Sequence, residues 1–186
     1  MGDLINKSIR KQNMKYREIK NIGYLLAFPT IATEDYQKYM DSALSLLDHN
    51  FTSSHICILS SLSHPINFFE TKEIILNVKE DLHLPTLEIE EAVLYYSYHL
   101  IEKIALKEDV ILNLKIVADL CLSHDQLKSI YPFLELYWAY EDLLYSEEQY
   151  YWEDMNRENS MDVIVDFAKN WLGENLDRFE VEFISD

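Results

Sequence analysis

At 186 residues, with 48% hydrophobic and 26% charged side chains, the chain can bury a substantial core, which excludes a disordered polymer. Three glycines and four prolines are too few for the many special turns of an all-β fold, so a mostly α, single-domain helical bundle of about seven to eight helices is expected over 1–186. A formal net charge of −17 argues against nucleic acid and anionic membrane as partners, because both demand a basic footprint.

The N-terminal segment 1–20 runs against this balance. It holds Lys7, Arg10, Lys11, Lys15, Arg17 and Lys20 against Asp3 and Glu18, about +4, and leaves about −21 on the rest. No continuous apolar run comes after these cations, so they do not read as a secretory signal. No stretch of 18 apolar residues occurs, so no membrane span is expected. Cys57 and Cys121 are too few for a disulfide scaffold and read as reduced thiols. Together these features predict a cytoplasmic protein.

In chain order, Leu4, Ile5, Ile9 and Met14 suggest a thin amphipathic helix over 4–20. Ile22, Tyr24, Leu26 and Phe28 alternate as in a strand before Pro29. Residues 34–49 read as a helix with Thr33 as N-cap and Tyr36, Met40, Leu44 and Leu47 as its buried face. Short helices are predicted over 53–62 and 71–82. The strongest signal spans 87–106, where two apolar stripes, one through Ile89, Val93, Tyr96, Leu100 and Ile104 and one through Leu94, Tyr98, Ile101 and Ala105, imply a helix covered on most sides. Helix continues over 110–122, Ser123 and Gln126 resemble a capping box for the next helix, and Pro132 is expected to break or kink that helix. A helix to about Tyr145, then a loop or a broken helix over 146–159, precede a last helix capped by Ser160 and ended by Gly173. Phe179, Val181 and Phe183 alternate with charged residues, which predicts a small β element over 178–184. Residues 22–28 are its internal pairing candidate; no regular strand, or pairing with a partner protein's sheet edge, are the alternatives.

Catalytic signatures are missing. Glycine occurs only at 2, 23 and 173, so no dinucleotide fingerprint, phosphate loop or nucleophile elbow can form. Glu80 and His83 make one Glu-x-x-His, where a di-iron bundle needs two. His99 and Glu102 lie three apart on a helix, which fits a tethered core histidine better than a ligand pair. His124–Asp125 sits where a helix start would use the acid against its positive end. The acid pairs, Glu147–Glu148 among them, lack the spacing of a calcium loop.

The residues with the clearest chemical bias lie at 133–154, FLELYWAYEDLLYSEEQYYWED, with eight aromatic residues, seven carboxylates and no Lys or Arg. Helical spacing puts Phe133, Tyr137, Tyr140 and Leu144 on one stripe, with Leu134 and Trp138 beside it, so several of these rings are expected in the core. The consecutive Tyr150, Tyr151 and Trp152 cannot all point inward from one face, so at least one should meet solvent or a partner. Tyr and Trp are favoured interface anchors, and carboxylates beside them would attract a cationic protein at rates up to about 10⁸–10⁹ M⁻¹s⁻¹ at low salt. The candidate partner-binding residues are Glu141, Asp142, Glu147, Glu148, Tyr150, Tyr151, Trp152, Glu153 and Asp154. No catalytic residue, metal or cofactor is expected.

In size, charge and lack of catalytic motifs the chain resembles the cytoplasmic immunity proteins of bacterial toxin–immunity systems, including contact-dependent growth inhibition pairs. The stretch YYWEDMNRENSMDVIVDFAKNWL, over 150–172, is similar to the C-terminal part of a family of helical bacterial proteins linked to such systems. The resemblance implies an inhibitor that binds a cognate toxin, often a basic nuclease, and blocks its active site or substrate groove. It transfers no functional residue, because immunity families share no signature. Two alternatives stand beside it: an acidic nucleic-acid mimic, which needs carboxylates in a long double row, and a carboxylate-rich metal-dependent hydrolase, which needs Asp, Glu and His converging in a pocket.

Overall fold

The computed structural model describes residues 10–15, 19–33, 35–63, 66–175 and 179–185. The chain divides into two compact units, Met1–Leu87 with Phe179–Asp186, and Glu88–Arg178, where composition suggests one domain. Eight helices and a two-stranded ribbon make up the described secondary structure, a mostly α fold.

In the first unit, β1 (Arg10–Lys15) pairs antiparallel with β2 (Glu180–Ser185), with Arg10 opposite Ser185 and Lys15 opposite Glu180. The C-terminal strand therefore pairs within the chain, but with 10–15 and not with 22–28. This corrects two expectations. The described part of the basic segment, 10–15, is strand where a helix is predicted over 4–20, and the rest of 1–18 lies outside the described residues. Residues Ile22–Ala27 form α1, with all six side chains buried. A run buried on every side has no polar face to mark its phase, so Ile22, Tyr24 and Leu26 at every second position mimic a strand period.

Helix α2 (Tyr36–Asp48) buries Tyr39, Ser42, Ala43 and Leu46, while Leu44 is exposed, so the core face is turned from the one the spacing predicts. Thr33 does not cap it; its hydroxyl accepts from the Asp35 amide at 3.2 Å, and the helix begins after Asp35. Helix α3 (Ser54–Ser60) opens on Ser53, whose hydroxyl accepts from the Ile56 amide at 3.1 Å, and α4 (Phe68–Asp81) opens on Asn67. Lys79 of α4 is buried, and its amine donates to the carbonyls of Leu26 (2.9 Å) and Phe28 at the C-terminal end of α1. Burial lowers that amine from 10.5 to about 8.

The second unit holds four helices. α5 (Ile89–Ala105) packs against α6 (Val110–Ser123) and α8 (Ser160–Asn175), and α6 also packs against α7 (Tyr131–Tyr145). Both predicted stripes of α5 are buried through Val93, Tyr96, Leu100 and Ile104 and through Leu94, Tyr98 and Ile101, but not at their ends, where Ile89 is exposed and Ala105 half-buried. Pro132 sits in the first turn of α7 and starts the helix, since a missing N–H costs nothing there; the predicted break is absent. Ser123 is the last residue of α6, not a cap for the next helix. Gly173 lies inside α8, which runs two residues past it.

Candidate functional site

The site is assembled on the second unit by the segment that joins α7 to α8. Helix α7 ends where the Ser146 amide donates back to the Asp142 carbonyl at 2.8 Å. Residues 146–159 then form a loop of bends and turns, the first of the two forms expected there. Arg157 closes the segment: its Nε donates at 2.7 Å to the carbonyl of Leu143, in the last turn of α7. A loop whose ends are held together, packed by its own side chains, is a compact surface loop of the Ω type.

Gln149 fixes the centre. Its Oε1 accepts from the Tyr151 and Trp152 amides, both at 2.9 Å, and its Nε2 donates to the carbonyls of Met155 (3.0 Å) and Trp152. Asn156 and Asn159 brace the exit. The Asn156 amide donates to Asn159 Oδ1 at 2.8 Å, the Asn159 amide returns a bond to Asn156 Oδ1 at 3.2 Å, and Asn159 Nδ2 reaches the Asp154 carbonyl at 2.8 Å. Asp154 itself has a φ of 59°, a left-handed conformation that Asp tolerates better than most side chains.

This framework turns three adjacent rings in three directions. Trp152 is half-buried and meets Phe167 of α8 edge-on, with centroids 5.0 Å apart; Phe167 in turn meets the buried Phe133 at 5.1 Å. Tyr151 lies against Trp138 of α7 at 5.3 Å. Tyr150 is 87% exposed, and its hydroxyl donates to Glu148 Oε2 at 2.8 Å. That bond, together with the charge of Glu148, raises the Tyr150 phenol above its ordinary range. The expected outward ring is therefore Tyr150, with Tyr151 partly so.

Glu147, Glu148, Tyr150, Tyr151, Trp152, Glu153 and Asp154 share one open concavity of about 470 Å³, and all four of these acids are exposed. Glu141 and Asp142 stand apart from it on α7, both half-exposed. Glu141 accepts from Tyr137, whose phenol is raised first by burial and then by that bond. Gln149, Arg157, Asn156 and Asn159 are absent from the residues read off the sequence. Only the last pair left a local sign, an Asn-x-x-Asn spacing ahead of an apolar run, akin to a helix-entry signal.

The other constellations resolve as local structure. His99 is buried on α5, with Nδ1 3.6 Å from Glu102 Oε2. His83 lies just past the end of α4 at a φ of 53°. Asp125 does not sit at a helix start, because α7 begins only at Tyr131, so the helix-end role read for it is corrected. Among the described residues no three His, Cys, Asp or Glu side chains converge as metal ligands. No helix among them is long and apolar enough to cross a membrane. Comparison with known protein families, with curated proteins and with solved structures returns no match.

Proposed function

We propose that this chain is an immunity protein that binds a cognate basic toxin, of the nuclease type, and neutralises it by covering its active site or substrate groove. The observation that carries this reading is the outward presentation of Tyr150 among Glu147, Glu148, Glu153 and Asp154 on a loop braced by Gln149 and Arg157. A nuclease displays Lys and Arg where phosphates bind. Exposed carboxylates can meet those cations, and a ring held in place adds buried area at low entropic cost. An interface of about 1,600 Å² built on a few such anchors can reach nanomolar affinity or better.

The compactness of the cluster favours this reading over nucleic-acid mimicry, because seven of the nine candidate residues line one concavity and not a long double row. The reading makes the chain a non-enzymatic, cytoplasmic inhibitor acting where its toxin would otherwise work. Its test is co-expression with the product of the neighbouring toxin gene. Growth is expected to be restored, and the purified toxin is expected to lose activity in equimolar complex with this chain. A toxin that remains active in that mixture overturns the reading.

A further inference from the structure

A second feature lies at the base of the loop. Tyr140, Leu143 and Leu144 on one side and Arg157, Ser160 and Met161 on the other line an open groove of about 390 Å³. Leu144 is 50% and Met161 43% exposed, so two large apolar side chains stand in its wall. Arg157 directs its Nε–H at the Leu143 carbonyl, at the negative end of the α7 dipole, which offsets its charge. Between 133 and 168 it is the only Lys or Arg, against ten carboxylates. A mixed slot whose apolar wall is Leu143, Leu144 and Met161, set in so acidic a stretch, is complementary to an apolar side chain with cationic neighbours.

We propose that this groove is the anchor pocket for one large apolar side chain carried in a Lys- or Arg-rich segment of the partner protein. The anchor seats between Leu144 and Met161, and its cationic neighbours meet Glu147, Glu148 and the acids beside them. The inference rests on the reading of the loop as a docking face for a basic protein, and it adds the chemistry of the docking element.

The test uses the full chain and three labelled heptapeptides, each with six Lys or Arg residues around a central Trp, Leu or Ala, titrated by fluorescence anisotropy at low salt. The Trp and Leu peptides are expected to bind at least about tenfold more tightly than the Ala peptide, the size that burial of one large apolar side chain provides. Met161→Asp and Leu144→Asp each add a carboxylate, so attraction for cations persists while the slot becomes polar. Both are expected to abolish the difference between peptides, with folding checked by circular dichroism. Equal, salt-sensitive binding of all three peptides overturns the groove and leaves the acidic docking face standing. A preference for Trp and Leu that survives in both variants places the anchor elsewhere and also overturns the groove. Failure of every peptide to bind overturns the docking face with it.

Discussion

Arg157 donates its Nε–H to the carbonyl of Leu143 at 2.7 Å, and this one bond ties the end of the 146–156 loop to the last turn of the helix that precedes it. It satisfies one of the four carbonyls that a helix C-terminus leaves without a partner, and it sets a cation against the negative end of the dipole. The loop is thereby a closed unit, and the ring and acids it displays share one frame.

Arg157→Met should therefore open the loop. Because Arg157 is exposed, the expected loss of global stability is small, about 1 kcal/mol. The local effect should be larger: amide hydrogen exchange across 146–156 should accelerate while α5 is unchanged. The comparison of exchange rates in the two segments checks this.

Gln149→Glu tests the brace from inside. The substitution keeps the acceptor for the Tyr151 and Trp152 amides but turns an oxygen toward the Met155 and Trp152 carbonyls. The expected cost is about 1–3 kcal/mol, measured by urea unfolding, with Gln149→Ala in the same direction. On the proposed function, affinity for the toxin should fall in both variants, since a mobile loop must be ordered on binding.

Lys79 sets a pH dependence with a definite sign. Its amine is lowered from 10.5 to about 8 in the folded protein. Between those values the unfolded chain binds the proton and the folded chain does not, so stability rises with pH through this window and is lost again as pH falls through 8. The full effect is at most about 3 kcal/mol. Lys79→Met removes the titrating group, so the rise in urea midpoint from pH 8 to 9.5 should be flatter in the variant than in the parent. Equal slopes would show that the amine titrates normally.

Gly173→Ala should stabilise the protein by about 0.5–1 kcal/mol, seen as a raised Tm. Gly173 lies within α8, and nothing stands within 4 Å of where a Cβ would go, so the gain in helix propensity comes without a clash.

Much of this architecture is legible in the chain itself, and the exceptions share a cause. The α5 stripes through Val93 and Leu94 are readable because period and burial coincide over 17 residues. The loop at 146–159 is readable because three consecutive rings fit no period. By contrast, α1 is six residues long and wholly buried, so no polar face marks its phase. Strand β1, RKQNMK, has no alternation; its identity comes from β2, about 170 residues away in sequence. In the site, that at least one of three adjacent rings faces outward follows from their competing for one face; that it is Tyr150 does not. The bonds of Gln149 and the contact of Trp152 with Phe167 do not, because both depend on where the loop folds back.

Binding of a cationic toxin by the acids and the outward ring of this loop, as proposed, is tested most directly by calorimetric titration of the cognate toxin with two proteins. One is the parent chain; the other carries Glu147→Gln, Glu148→Gln, Glu153→Gln, Asp154→Asn and Tyr150→Ala. The account predicts a complex with the parent that weakens at least about tenfold from 50 to 300 mM salt, and a further loss of about 100-fold or more in the variant. Equal affinity of the two proteins, or no complex with the parent at low salt, would contradict it.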